Sequence, residues 1–298
     1  MFKKILVPLD GSKTAEAVIP FAGEIAARSG AALLFVVAVQ EAGVWEARLS
    51  LGGRGREAEI AADYLATVEK DVVGEGQKVE TQVLDGEAAE AVLAAVDDCG
   101  VDLIAISTHG RSGVSRWLFG SVATHILERV SVPLLVLRPK EGEDRGEPGP
   151  VVKKILVPLD GSELAKSILP VVEEFAKMMG ASLVLYHSVA PLAPYPGFEV
   201  VGAPALSETI EEMQRQAKEI LSGTAQEVKS RGVEATTVVS LGTAVDGVLS
   251  AARELNVDLI AIATRGRSGL GRVVLGSVAD SVIRRSADVP CLVIRPTG

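Results

Sequence analysis

Short apolar runs alternate along the chain with segments in which apolar residues recur at helical spacing. The first half contains five runs of strand length: ILVPL, AALLFVVAV, VETQVL, DLIAIS and PLLVLR. Between them, amphipathic helices are predicted at 14–28, at about 56–73, at 87–98 and at 116–130. Near-continuous apolar strands that alternate with amphipathic helices are typical of a parallel sheet covered on both faces. The pattern therefore predicts a doubly wound, Rossmann-like α/β fold.

The second half of the chain repeats the first. The segment KKILVPLDGS at 3–12 recurs letter for letter at 153–162, 150 positions further on. The segment VDLIAI at 101–106 recurs at 257–262, which is 156 positions further on. The difference places six extra residues in the middle of the second copy. We therefore predict two tandem domains of the same fold.

A linker is predicted between the two copies. The stretch PKEGEDRGEPGP at 139–150 is charged, rich in glycine and proline, and without hydrophobic periodicity. The predicted division is a first domain at 1–139, a linker at 140–151 and a second domain at 152–298.

The turn after the fourth strand of each copy is rich in glycine. Doubly wound sheets bind ligands beyond the carboxyl ends of their strands, where the winding reverses, and this turn lies there. Glycine permits positive φ and close approach of the backbone to a ligand, and the free amides of a following helix suit an anion. Micromolar affinity requires about 8 kcal/mol, so several charge-assisted hydrogen bonds of about 1.5–3 kcal/mol each must converge. Two glycine turns joined by nine residues provide for this: Gly110 with Gly120 and Ser121, and Gly266 with Gly276 and Ser277.

The turn after the first strand carries an aspartate, Asp10 in one copy and Asp160 in the other. A carboxylate at this place can accept a hydrogen bond from a ribose hydroxyl or an adenine amine. It can equally belong to a plain turn, with Ser12 or Thr14 as the N-cap of the first helix. Both interpretations stay open for the aspartates, whereas capping is favoured for Ser12 and Ser162.

Charge and cysteine content exclude several classes of protein. The net charge of −9 and a pI near 5.1 argue against nucleic-acid binding, since the arginines are scattered through turns. The two cysteines, Cys99 and Cys291, lack a CxxC spacing, so we expect neither a disulfide framework nor a structural zinc site. Both thiols are interpreted as small core hydrophobes.

Motifs of export, membrane insertion and common catalysis are missing. The first apolar run ends at Asp10, too early for a signal peptide, and the longest run is about half a membrane span. We therefore expect a soluble cytoplasmic protein. The sequence contains no GxxxxGK[ST] and no GxSxG motif. His109 stands where the second copy has Arg265, which excludes a catalytic histidine common to both copies, and no metal site is expected.

The paired turn motifs resemble those of the universal stress protein family in its tandem two-domain form. VPLDGS opens each copy, followed by STHGRSG-x6-GSVA in the first and ATRGRSG-x6-GSVA in the second. The resemblance implies five-stranded parallel sheets in the order 3-2-1-4-5, dimerisation through the last strand, and ATP or AMP binding in many members. The family's nucleotide pattern, G-x-x-G-x9-G-[S/T], is matched except at its leading glycine, which is Ser107 in one copy and Ala263 in the other.

The same resemblance implies a set of binding residues. The prolines and aspartates after the first strands would flank adenine and ribose, and the ends of the second strands would form the adenine wall. Arg265 would offer a permanent charge to phosphates where His109 offers a mostly neutral ring. The complete set is Pro8, Asp10, Ala38, Val39, Ile106, Ser107, His109, Gly110, Gly120, Ser121, Val122, Pro158, Asp160, Ser188, Val189, Ile262, Ala263, Arg265, Gly266, Gly276, Ser277 and Val278.

These observations predict a regulatory protein of the stress response that binds an adenine nucleotide in one or both halves. The expected cofactor is ATP with Mg²⁺, or AMP or ADP. A slow ATPase or self-phosphorylating protein, with Ser121 or Ser277 near the phosphates, remains an alternative. So does a nucleotide-free scaffold that acts through sheet edges, Trp45 or the Tyr195 loop. The last strands, at 133–139 and 290–296, are expected to pair within the chain, and further homodimerisation is left open.

Overall fold

A computed structural model describes residues 2–40, 53–72, 77–108, 120–139, 151–190, 203–264, 275–286 and 289–296. Side chains are described from residue 56 in the second of these ranges and from residue 207 in the sixth. The chain divides into two compact units, Met1–Pro150 and Val151–Gly298. Several residues singled out by the sequence lie outside the described ranges: Trp45, His109, Gly110, Tyr195, Arg265, Gly266 and linker residues 140–150.

The first unit is a five-stranded parallel sheet with the strand order β3-β2-β1-β4-β5. This is the order that the family resemblance implies. Its strands are β1 (Lys4–Leu9), β2 (Ala32–Val39), β3 (Val79–Asp85), β4 (Leu103–Ser107) and β5 (Leu134–Leu137). Its helices are α1 (Lys13–Glu16), α2 (Ile19–Ser29), α3 (Gly53–Val72), α4 (Ala88–Asp98) and α5 (Ser121–Arg129).

The second unit repeats this architecture with the strand order β8-β7-β6-β9-β10. Its strands are β6 (Lys154–Pro158), β7 (Ser182–Val189), β8 (Ala235–Leu241), β9 (Leu259–Ala263) and β10 (Cys291–Ile294). Its helices are α6 (Glu163–Lys166), α7 (Leu169–Met179), α8 (Ala203–Ser230), α9 (Ala244–Glu254) and α10 (Ser277–Arg285). The predicted doubly wound α/β fold is confirmed. Among the described residues, no helix is both long and apolar enough to cross a bilayer.

The apolar runs become buried strands because helices cover both faces of each sheet. In the central strand β1, Ile5, Leu6 and Val7 are fully buried although consecutive side chains point to opposite faces. The outer strand β3 carries a polar sequence and is largely exposed. The hydrophobic core therefore lies against the middle of each sheet.

The predicted first helix, at 14–28, is two helices with a break at Ala17 and Val18. The reason is Pro20, the second residue of α2. A continuous helix would need the amide of residue 20 to donate to the carbonyl of residue 16, and proline has no amide hydrogen. Pro170 occupies the same place in α7, so the second unit has the same break.

The described part of the helix predicted at 116–130 begins only at Ser121. Gly120 is its N-cap, with extended backbone angles, and so lies outside the helix. Glycine is tolerated at an N-cap but is costly within a helix, which explains why the helix starts after it.

One packing feature distinguishes the second unit. Tyr186 of β7 is buried, and its hydroxyl makes a hydrogen bond with Ser240 of β8. A Cβ on Gly247 of α9 would lie 2.1 Å from the Tyr186 hydroxyl oxygen, so glycine is required for this ring to fit. The corresponding positions of the first unit hold Val36, Leu84 and Ala91.

The Gly247→Ala substitution is therefore expected to destabilise the protein. Overpacking against Tyr186 costs about 1–3 kcal/mol, more than the gain of about 1 kcal/mol from the helix propensity of alanine. Gly223→Ala is the matched control, because Gly223 is an exposed interior residue of α8 whose added Cβ would meet nothing within 4 Å. Urea unfolding should give a lower midpoint for Gly247→Ala and an unchanged or higher one for Gly223→Ala. Equal gains in both would contradict the packing argument.

The two thiols differ in their surroundings. Cys291 of β10 is buried, and removal from water raises the pKa of its thiol to about 12. Cys99 follows α4 and is partly exposed. The interpretation as a core hydrophobe is confirmed for Cys291, whereas Cys99 is only partly buried.

Alkylation should separate the two thiols. A raised pKa means that Cys291 stays protonated throughout the neutral and mildly alkaline range, and only the thiolate reacts with iodoacetamide. We expect rapid modification of Cys99 in the folded protein and modification of Cys291 only after unfolding in urea. Peptide mass spectrometry over time measures both rates, and equal rates in the folded protein would refute the assignment.

Candidate functional site

A cavity of about 750 Å³ lies at the carboxyl ends of β1, β2 and β4 in the first unit. The turn after β1, the last residues of β2 and β4, and the start of α5 form its wall. All nine predicted site residues that the structure describes in this unit line the cavity: Pro8, Asp10, Ala38, Val39, Ile106, Ser107, Gly120, Ser121 and Val122.

The second unit has a smaller cavity, of about 290 Å³, in the corresponding place. Val189 is buried and is not among its lining residues. The predicted residues that do line it are Pro158, Asp160, Ser188, Ile262, Ala263, Gly276, Ser277 and Val278.

The turn after β1 is built by its own polar groups. Asp10 accepts a hydrogen bond from the amide of Ser12 at 2.9 Å, and Gly11 adopts a φ of 81°, which disfavours any residue with a side chain. The hydroxyl of Ser12 accepts from the amide of Ala15 at 3.1 Å. Ser12, and not Thr14, is therefore the N-cap of α1.

The turn after β6 has the same geometry. Asp160 accepts from the amide of Ser162 at 2.9 Å and from its hydroxyl at 2.6 Å. The hydroxyl of Ser162 also caps α6 by accepting from the amide of Ala165 at 3.1 Å. Each aspartate thus shapes its turn while lining the cavity, so its structural role does not preclude contact with a ligand.

The helices that follow the fourth strands begin at the cavities without a side-chain cap. Gly120 and Gly276 are the N-caps of α5 and α10, with φ of −57° and −62°. Their conformations do not require glycine. Gly120 instead leaves space open, since a Cβ there would meet nothing within 4 Å. The amides of a helix start, with their partial positive charge, therefore border each cavity.

Two hydroxyls at the ends of the fourth strands add polar groups to the cavities. Ser107 Oγ and Thr264 Oγ1 are buried and, among the described residues, make no hydrogen bond. Both residues line the cavity of their unit. Buried hydroxyls normally have a partner, so these two suit a polar ligand that reaches the strand ends.

Several wall residues were missed by the sequence analysis. In the first unit, α3 contributes Ile60, Ala61 and Tyr64, and the Tyr64 hydroxyl donates to the buried Glu16 carboxylate at 2.7 Å. In the second unit, Tyr186 and His187 line the cavity. Of these residues, Tyr186 and His187 could have been noticed in the sequence, because they differ from Val36 and Val37 at the corresponding positions of the first copy.

Away from the cavities, Glu87, Glu90 and His125 place possible metal-ligand atoms within 4.8 Å of one another. Glu90 already pairs with Arg129, and the Glu87 carboxylate caps α4 by accepting from the Glu90 amide. These contacts account for the cluster as surface ion pairs and a helix cap, with no need for an ion.

Comparison with known proteins identifies the repeated domain. The model of the universal stress protein family matches residues 1–138 and 152–295. Universal stress protein YxiE of Bacillus subtilis is 30% identical over 146 residues, which are 48% of this chain and 98% of that protein. Universal stress protein Rv2005c of Mycobacterium tuberculosis is 25% identical over 257 residues, covering 85% of this chain and 79% of that one. A universal stress protein structure from Archaeoglobus fulgidus superposes with a TM-score of 0.69 over 98% of both chains, at 20% identity.

Proposed function

Because the chain belongs to the universal stress protein family and carries its domain twice, we propose that each half binds an adenine nucleotide. The nucleotide lies in the cavity at the strand ends, and its occupancy regulates the shape or the partners of the protein. One observation carries the proposal. In each half, an aspartate after the first strand lines the same cavity as the start of the helix after the fourth strand, which has no side-chain cap.

The two ends of the cavity suit the two ends of a nucleotide. The aspartate carboxylates, Asp10 and Asp160, can accept from ribose hydroxyls or from the adenine amine. The amides that follow Gly120 and Gly276 can donate to phosphate oxygens. This local positive potential matters because the chain as a whole has a net charge of −9, which repels an anion at long range.

The apolar part of each cavity suits the base. Ala38 and Val39 at the end of β2, with Ala88 and Val92 of α4, provide hydrocarbon contacts in the first unit. The first cavity, at about 750 Å³, falls within the range of about 300–1,000 Å³ that is usual for small-molecule sites. Mg²⁺ binds mainly through phosphates and water, so it would arrive with a triphosphate and needs few protein ligands.

The substitution Gly120→Asp tests the first site in the full chain. Aspartate is a good N-cap and the position has room for a Cβ, so the fold should be retained. The new carboxylate would lie where a phosphate is expected and repel it. Calorimetric titration with Mg-ATP should lose the first-half binding event, and Gly276→Asp should lose the second-half event.

Gly223→Asp is the matched control, because it adds the same charge at an exposed position of α8. It should leave ATP titration unchanged. A Gly120→Asp protein with a native circular dichroism spectrum and parental ATP stoichiometry would remove the first site from the proposal.

Nucleotide bound during expression gives a direct test that needs no variant. We expect ATP, ADP or AMP to be released when the purified protein is denatured, at up to two molecules per chain, and mass spectrometry identifies them. A protein that releases no nucleotide and also takes up none in titration would favour the scaffold alternative.

A further inference from the structure

The floor of the second cavity differs from that of the first at two neighbouring residues. Tyr186 and His187 of β7 take the places of Val36 and Val37 of β2, and all four line the cavity of their unit. The second cavity is the smaller one, at about 290 Å³ against about 750 Å³. In the second unit, therefore, an imidazole lines the cavity at a position where the first unit has only a hydrocarbon side chain.

The hydrogen bonding of His187 fixes which ring nitrogen a ligand can meet. Its Nδ1 lies 2.7 Å from the main-chain carbonyl oxygen of Leu159. A carbonyl oxygen can only accept, so Nδ1 carries the hydrogen and donates it. In the neutral ring Nε2 is then a hydrogen-bond acceptor. Within the described part of the second unit, the ring has no other hydrogen-bond partner, which leaves Nε2 available to a ligand.

The surrounding structure holds β7 in a defined position. Tyr186, next to His187, is buried, bonded to Ser240 and packed tightly against Gly247. Ser188, on its other side, donates to the carbonyl of Gly242 at 2.9 Å. The imidazole is therefore presented from a rigid strand, as a group that discriminates between ligands must be.

We propose that His187 makes the second half selective for a base that carries an amino group, adenine over a 6-oxo purine. This inference rests on the proposed nucleotide site. The amino group of adenine donates to Nε2. A 6-oxo group brings a second acceptor against Nε2 and leaves both acceptors without a hydrogen, and a site rejects an analogue that leaves its polar groups unpaired. Val37 offers no acceptor, so the first half lacks this contribution to selectivity.

The experiment compares Mg-ATP with Mg-ITP, whose bases differ at the 6-position, by calorimetry at mildly alkaline pH. The full chain with Gly120→Asp reports on the second site alone, and the full chain with Gly276→Asp reports on the first. His187→Val is added to each. Valine is the residue that the first copy carries at this strand position, so the variant is expected to fold, and thermal melting checks this.

At the second site we expect ATP to bind about tenfold more tightly than ITP, the equivalent of one hydrogen bond that only the adenine base can make. His187→Val should reduce this ratio severalfold at the second site and leave the ratio at the first site unchanged. An unchanged ratio at the second site would overturn the role of His187 while ATP binding itself stands. Absence of ATP uptake in both backgrounds would instead overturn the proposed function, and this inference with it.

Discussion

Burial of each parallel sheet on both faces is the constraint from which the candidate sites follow. Parallel strands joined by helices must all run in the same direction, so their carboxyl ends lie at one edge. In each unit the first and fourth strands are neighbours at that edge, because the chain winds outward from them in opposite directions. The topology of the sheet thereby brings the turns that contain Asp10 and Asp160 beside the starts of α5 and α10, independently of the sequences of the other loops.

The two copies keep their turns and differ in their walls. The turn after the first strand has the same sequence, the same aspartate-to-amide hydrogen bond and the same serine cap in both units. The floor of the cavity, by contrast, changes from Val36 and Val37 to Tyr186 and His187. The residues that pack against Tyr186 change as well, from Leu84 and Ala91 to Ser240 and Gly247. The turns are thus retained in both copies, while side chains that line the cavities have diverged.

The alternation of apolar strands and amphipathic helices was sufficient to predict the fold, since burial on both faces leaves a continuous apolar run. It could not show the break before α2, because Pro20 acts through one missing hydrogen bond and leaves the hydrophobic period intact. The wall of the cavity was predicted where turns carry it, as at Asp10 and Gly120. It was missed where a helix carries it, as at Tyr64, because a wall residue on α3 follows no fixed spacing from the turns.

The glycines show why residue type alone does not reveal a role. Gly11 is required by its φ of 81°, Gly247 by the tyrosine ring against it, and Gly120 by neither, since it has ordinary backbone angles and open space around it. Open space alone does not identify a ligand site, because Gly223 of α8 has it as well. At Gly120 that space borders the free amides of a helix start, and an anionic ligand is the partner that such amides favour.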